Sequence, residues 1–228
     1  MTAAHSRRTV AGMITTHTHS RFIRVAGRAC AGGATLGVVV GAATQAVQAS
    51  TDVPKDQWSY PWWSGASISF WLVAALAHAL IAVGVIGLRR SGVAGTTRAA
   101  RLGLTAALVG AVLIVAGHLV SIPIRNQTTH DTWPQIVGGV FGSGTILVAI
   151  GLLLAGWTTL RERNWDDWRR FTPLAAGAWA VALIPLQLTP ALPSAVAVYG
   201  LFFVALGVAL GGTPGANVAR PHAQAQQA

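Results

Sequence analysis

The chain has 228 residues; 53% are hydrophobic, only 10% are charged, and the formal net charge is +10. A soluble domain of this size carries roughly a quarter charged residues, so this composition cannot cover a water-soluble globule. The arginines sit at the ends of apolar runs rather than on one polar element, which excludes a nucleic-acid-binding face and leaves the lipid bilayer as the expected partner.

One cysteine, Cys30, rules out an intrachain disulfide and a thiolate metal site. A single lysine amid abundant Ala, Gly and Arg fits a GC-rich bacterial genome.

Residues 1–28 are polar and basic, with Arg7, Arg8, Arg21, Arg24 and Arg28, and they show no apolar period. They are expected to form a disordered tail, within which Met13 is an alternative start. His17 and His19 offer two ligands where a closed site usually needs four, so no metal is expected.

The first apolar run is Ala29–Val47. Gly33, Gly37 and Gly41 stand four apart, giving two overlapping GxxxG units that let another helix approach closely. Val47-Gln48-Ala49 before Ser50 also fits a signal-peptide cleavage site. The long lead argues for a retained span; cleavage would leave five. Residues 50–65 then carry Trp58, Tyr60, Trp62 and Trp63. Such rings suit the headgroup level as an interfacial belt, or else a lid over an outward-facing pocket.

Ala66–Leu88 holds no charge over 23 residues, about 34 Å of helix against a hydrocarbon core of about 30 Å. Arg89, Arg90, Arg98 and Arg101 crowd the next loop. Leu102–Ile122 follows, with Gly103, Gly110 and Gly117 recurring every seven residues as a seam for a neighbouring helix. The fourth span is Ile136–Trp157, where Gly138 and Gly142 form another packing pair. Leu160–Phe171 reads as a short surface helix with Trp165 and Trp168 on one face. Thr172-Pro173 starts the fifth span, Thr as N-cap, and Thr172–Thr189 carries a kinking Pro185. Ser194–Gly212 is the sixth span.

The layout is thus a tail over 1–28, an all-α six-helix transmembrane domain over 29–212, and a disordered tail over 213–228. Fourteen arginines fall on the side holding both chain ends, against Lys55 and Arg125 on the other. This positive-inside bias predicts a bacterial inner-membrane protein with both termini cytoplasmic.

Only His78 and His118 are ionisable within a span. Counting from span ends puts His78 about 18 Å and His118 about 6 Å below the outer surface. That offset of about 12 Å, obtained from the same rise per residue, disfavours a shared metal or haem iron. Gln45, Gln48, His118, Ser121, Arg125 and Gln187 should lie at similar outer depth, beside the gap at Pro185. With His78 they are the candidate ligand pocket; the competing reading is polar residues collecting near headgroups. No phosphate-binding loop, HExxH, CxxC or serine-nucleophile motif occurs. No catalytic residue and no cofactor is expected.

Two stretches carry a resemblance. Ser69–Gly92, with Leu-Ala-His-Ala-Leu and Gly-Leu-Arg-Arg-Ser-Gly, is similar to the second span of small actinobacterial multi-pass membrane proteins. Asp167–Pro173, Asp-Trp-Arg-Arg-Phe-Thr-Pro, is similar to the opening of their fifth span. The resemblance implies a six-span layout over roughly residues 30–212 and brings no activity. The functional expectation is a non-enzymatic structural, accessory or sensory membrane component, alone or with a membrane-protein partner or a second copy. A facilitator or binder of a small molecule from the outer side comes next, and a haem or redox protein last.

Overall fold

The computed structural model describes the backbone of residues 3–165 and 167–212 and the side chains of 20–165 and 167–212. The C-terminal tail and the side chains of His5, His17 and His19 lie outside these. Among the described residues the chain is all-helical: α1 (Ala3–Gln48), α2 (Ser64–Ser91), α3 (Arg98–Ile124), α4 (Thr132–Glu162), a 3-10 turn (Asp167–Phe171), α5 (Thr172–Leu186) and α6 (Leu192–Gly211). Each helix packs on its neighbours in sequence, and α6 returns to α1, which closes the bundle.

Five helices, all but α5, are long and apolar enough to cross a membrane. Their burial pattern differs from that of a soluble protein, although Leu88, Leu152, Phe203, Leu206 and Leu210 are fully buried. Small residues such as Ala26, Ala34, Ala77, Ala107 and Ala155 are buried, while Leu72, Leu76, Val112, Leu119, Ile150 and Leu201 are at least 47% exposed. Large apolar side chains left outside suit a hydrocarbon solvent, and small ones inside let helices close in where no hydrophobic force drives them together.

The seams are built from glycine. A Cβ added at Gly110 would lie 2.5 Å from Gly144 O, one at Gly103 2.8 Å from Gly151 O, and one at Gly117 2.9 Å from the Phe141 ring, so the seven-residue repeat of α3 faces α4 throughout. On α1, Gly33 meets Leu80 and Ala77 of α2, whereas Gly41 meets Pro193 and Ala197 of α6. The GxxxG reading needs correction at Gly37, where an added Cβ meets nothing within 4 Å. α1 is clasped on two sides, and Gly37 faces neither partner. Gly142 is equally open, and Gly138 meets only Trp58 at 4.0 Å. Gly144 and Gly151, seven apart, are the glycines of α4 that pack on α3, and Gly156 packs on Leu174 of α5.

Four other expectations are corrected. Helix α1 begins at Ala3, so residues 3–28 are not a disordered tail. Ile23 and Ala26 are buried, Ala26 against Gly87, and the Arg90 guanidinium lies over Phe22 at 4.4 Å. The fifth helix stops at Leu186; its 15 residues rise about 22 Å, short of a full crossing, with Pro185 in its last turn. Thr172 does not cap it, because its hydroxyl donates back to Arg169 O. Trp165 is buried while Trp168 is 51% exposed. The helix that should align them ends at Glu162, and positive φ at Arg163 and Asp167 turns the chain between the helix and the 3-10 turn.

Candidate functional site

The α1–α2 and α3–α4 connections fold onto each other. Trp58 N donates to Gln127 O at 2.8 Å, Thr129 N to Asp56 O at 2.6 Å and Ser59 N to Arg125 O at 3.2 Å. An antiparallel bridge pairs Gln57 with Thr128. The loop before α2 is thereby pinned to the loop after α3. Beneath it, Arg125 Nε donates to Ser64 Oγ at 3.0 Å and its Nη1 to Ile122 O at 2.8 Å, tying the start of α2 to the end of α3.

An aromatic cluster descends from this roof. Trp58 stacks near Trp71 at 6.4 Å between centroids, Trp71 lies 5.6 Å from His118, and Phe141 flanks His118 at 4.9 Å. Trp62 stacks on Phe70, which meets Trp71 edge-on. Both the belt and the lid readings find residues here. Trp63 is 73% exposed, at a position suited to headgroups, while Trp58 roofs the cluster.

His118 Nε2 then lies 3.2 Å from His78 Nδ1, with ring centroids 4.9 Å apart. The expected 12 Å separation is therefore wrong, for a geometric reason. Helical side chains lean toward their helix N-terminus. Helices α2 and α3 run antiparallel, so the two rings lean toward each other from different depths. His78 shows the lean directly, with Nδ1 3.0 Å from Ala74 O one turn back. The contact removes the offset as a ground for judging whether the two rings could share a ligand. Among the described residues, no group of three or more His, Cys, Asp or Glu could hold a metal ion.

One protonation pattern satisfies both contacts. A proton on His78 Nδ1 is donated to Ala74 O, and the same N–H serves His118 Nε2 as acceptor. His118 then carries its own proton on Nδ1. That atom is buried without a hydrogen-bond partner in the protein, in a side chain only 9% exposed. The indole Nε1 atoms of Trp58 and Trp71 share this condition, as do Ser59 Oγ and Gln127 Oε1. Three buried ring nitrogens without partners, His118 Nδ1 and the indole Nε1 atoms of Trp58 and Trp71, thus lie on successive neighbouring rings. Each such orphan costs about 1–3 kcal/mol unless something accepts from it.

The rest of the expected pocket divides. Ser121 is buried, and its hydroxyl donates to Gly117 O in its own helix. Gln45 and Gln48 have no contact with His118 and lie where the end of α1 meets the start of α6. There Gln45 Nε2 donates to Gln48 Oε1 and Ser194 Oγ donates to Gln45 Oε1. With Lys55, Tyr60 and Pro190 they line a separate open groove of about 370 Å3. Gln187 lines neither place; its backbone N–H donates to Leu183 O at the end of α5. Sequence reading missed Trp71 and Phe141 as partners of His118. Trp71 lies one helical spacing of seven before His78, the one signal that could have placed both on the same face.

No family model, curated protein or solved structure matches the chain.

Proposed function

We propose that this is a non-enzymatic sensory or accessory protein of the bacterial inner membrane, with both termini in the cytoplasm. Its working part is the cluster between α2, α3 and α4. The ligand that fits there is a small, largely apolar molecule bearing an acceptor oxygen, such as a carbonyl, entering from the outer side. One observation carries this reading: Trp71 Nε1 and Trp58 Nε1 are buried donors, and His118 Nδ1 a buried ring nitrogen, all without partners within one run of neighbouring rings. Apolar walls with a few placed polar groups are the usual make-up of a small-molecule site. The sidedness is supported by fourteen arginines against Lys55 and Arg125. The likeness of Ser69–Gly92 and Asp167–Pro173 to actinobacterial multi-pass proteins agrees with the layout.

Native mass spectrometry of gently solubilised protein tests the proposal. The wild type should release a non-protein mass, and Trp71→Phe, which keeps a ring but removes the N–H, should retain markedly less of it. A wild type that carries nothing, or a variant that carries as much, overturns the reading. The same spectra give the intact mass, and hence whether α1 is retained or cut before Ser50.

A further inference from the structure

The other end of the bundle carries a second set of groups. On α1, Arg21, Arg24 and Arg28 are spaced three and four apart, so they share one helix face, and all three are exposed. This stretch lies against the end of α6. A Cβ added at Gly27 would lie 2.5 Å from Gly211 N and 2.7 Å from Gly207 O. Arg169, from the 3-10 turn, reaches the same place: its Nη1 donates to Gly212 O at 2.9 Å. Helix α2 brings Arg90 to the neighbouring side of α1, over Phe22. Arginines from three elements, α1, α2 and the 3-10 turn, therefore gather where residues 21–28 of α1 meet the last turns of α2 and α6.

Nothing on those helices offsets them. No Asp or Glu occurs anywhere in α1, α2 or α6. Glu162 sits beside Gly95, in the connection between α2 and α3, and Asp167 opens the 3-10 turn. Trp168 and Phe171, respectively one residue before and two after Arg169, are 51% and 48% exposed, as residues that enter a lipid interface are. Positive charge beyond what a topology signal needs, grouped at a helix junction and flanked by exposed rings, matches the chemistry of an anionic lipid headgroup. Guanidinium suits it because its fork meets two phosphate oxygens at once.

We propose that Arg24, Arg28 and Arg169 form a binding site for the phosphate of an anionic phospholipid at the α1–α6 junction. Trp168 and Phe171 lie in the acyl boundary beside it. Assignment to the cytoplasmic leaflet rests on the sidedness given above, but the binding itself does not.

Detergent-solubilised full-length protein, titrated with phosphatidylglycerol or phosphatidylcholine and read by native mass spectrometry, tests this without reference to sidedness. Phosphatidylglycerol should bind in preference. Each arginine replaced by glutamine should weaken it about fivefold. Arg24→Gln/Arg28→Gln/Arg169→Gln should abolish the preference while leaving phosphatidylcholine binding unchanged. Equal retention of the two lipids by the wild type would overturn the site, as would an unchanged preference in the triple variant. Full competition by inorganic phosphate would also overturn it, since that marks a free-anion site rather than a lipid one. If the triple variant does not fold, the salt dependence of wild-type binding decides: loss of preference at high salt supports the site, and no change overturns it.

Discussion

His118 Nε2 and His78 Nδ1, forty residues apart in the chain, meet at 3.2 Å across the α2–α3 interface. They are the only histidines within the spans, and their contact joins the aromatic cluster to the backbone of α2 through Ala74 O. The two rings therefore act as one hydrogen-bonded unit.

A double-mutant cycle measures that unit. His78→Ala and His118→Ala should be non-additive, with a coupling of about 0.6 kcal/mol, the usual size for an interhelical hydrogen bond in a membrane. Reversible unfolding in mixed micelles supplies the numbers. Additive effects would mean that the contact contributes nothing.

The glycine seams separate into tight and open positions, and alanine substitution should distinguish them. At Gly151 an added Cβ would lie 2.5 Å from both Ala107 N and Gly103 O. Gly151→Ala should cost about 1–3 kcal/mol, because backbone cannot move aside as a flexible side chain can. Gly37→Ala and Gly142→Ala, where nothing lies within 4 Å, should be neutral or gain up to about 1 kcal/mol from helix propensity. Midpoints of thermal unfolding for the three variants check the ranking; a destabilised Gly142→Ala would contradict it.

The paired loops before α2 and after α3 should register in hydrogen exchange. The amides of Trp58 and Thr129 donate across the loops. They should exchange more slowly than those of Asp52 and Lys55, for which no such bond is formed. Thr129→Pro removes one donor and should raise exchange at Trp58 as well, because the bonds support one another. Uniform exchange along residues 50–60 would show that the loops are not joined.

Sidedness can be read with a single reactive thiol. Cys30 is wholly buried, so it should stay unlabelled until the protein is denatured. In a Cys30→Ala background, a membrane-impermeant maleimide should label His130→Cys in intact spheroplasts and Thr96→Cys only after lysis; both positions are exposed. The opposite result would invert the topology.

Apolar run length located every helix, because twenty uncharged residues in succession have few other uses. Their ends were less legible. Interfacial turns are helical although they carry Arg89, Arg90, Arg98 and Arg161, and charge alone does not stop a helix. The α3 glycine repeat could be read because the period of seven exceeds chance, but its partner glycines, Gly144 and Gly151, were hidden among other small residues of α4. The histidine pair was illegible for a different reason. Counting rise per residue locates α-carbons, whereas the chemistry lies at ring nitrogens several ångströms away, whose direction depends on strand sense. The pocket candidates at Gln45 and His118 share a depth but not a neighbourhood, and depth is the only coordinate that hydropathy supplies.

The backbone bridge at Gln57 and Thr128 also constrains any motion of the protein. With the N-terminal end of α2 and the C-terminal end of α3 fastened by that bridge and by the guanidinium of Arg125 on Ser64, these two helices are held together at that end and are freer to splay from the opposite one. Any displacement at the imidazoles would then take the form of a scissor movement whose pivot lies at that bridge and whose largest excursion falls among the arginines of the α2–α3 connection.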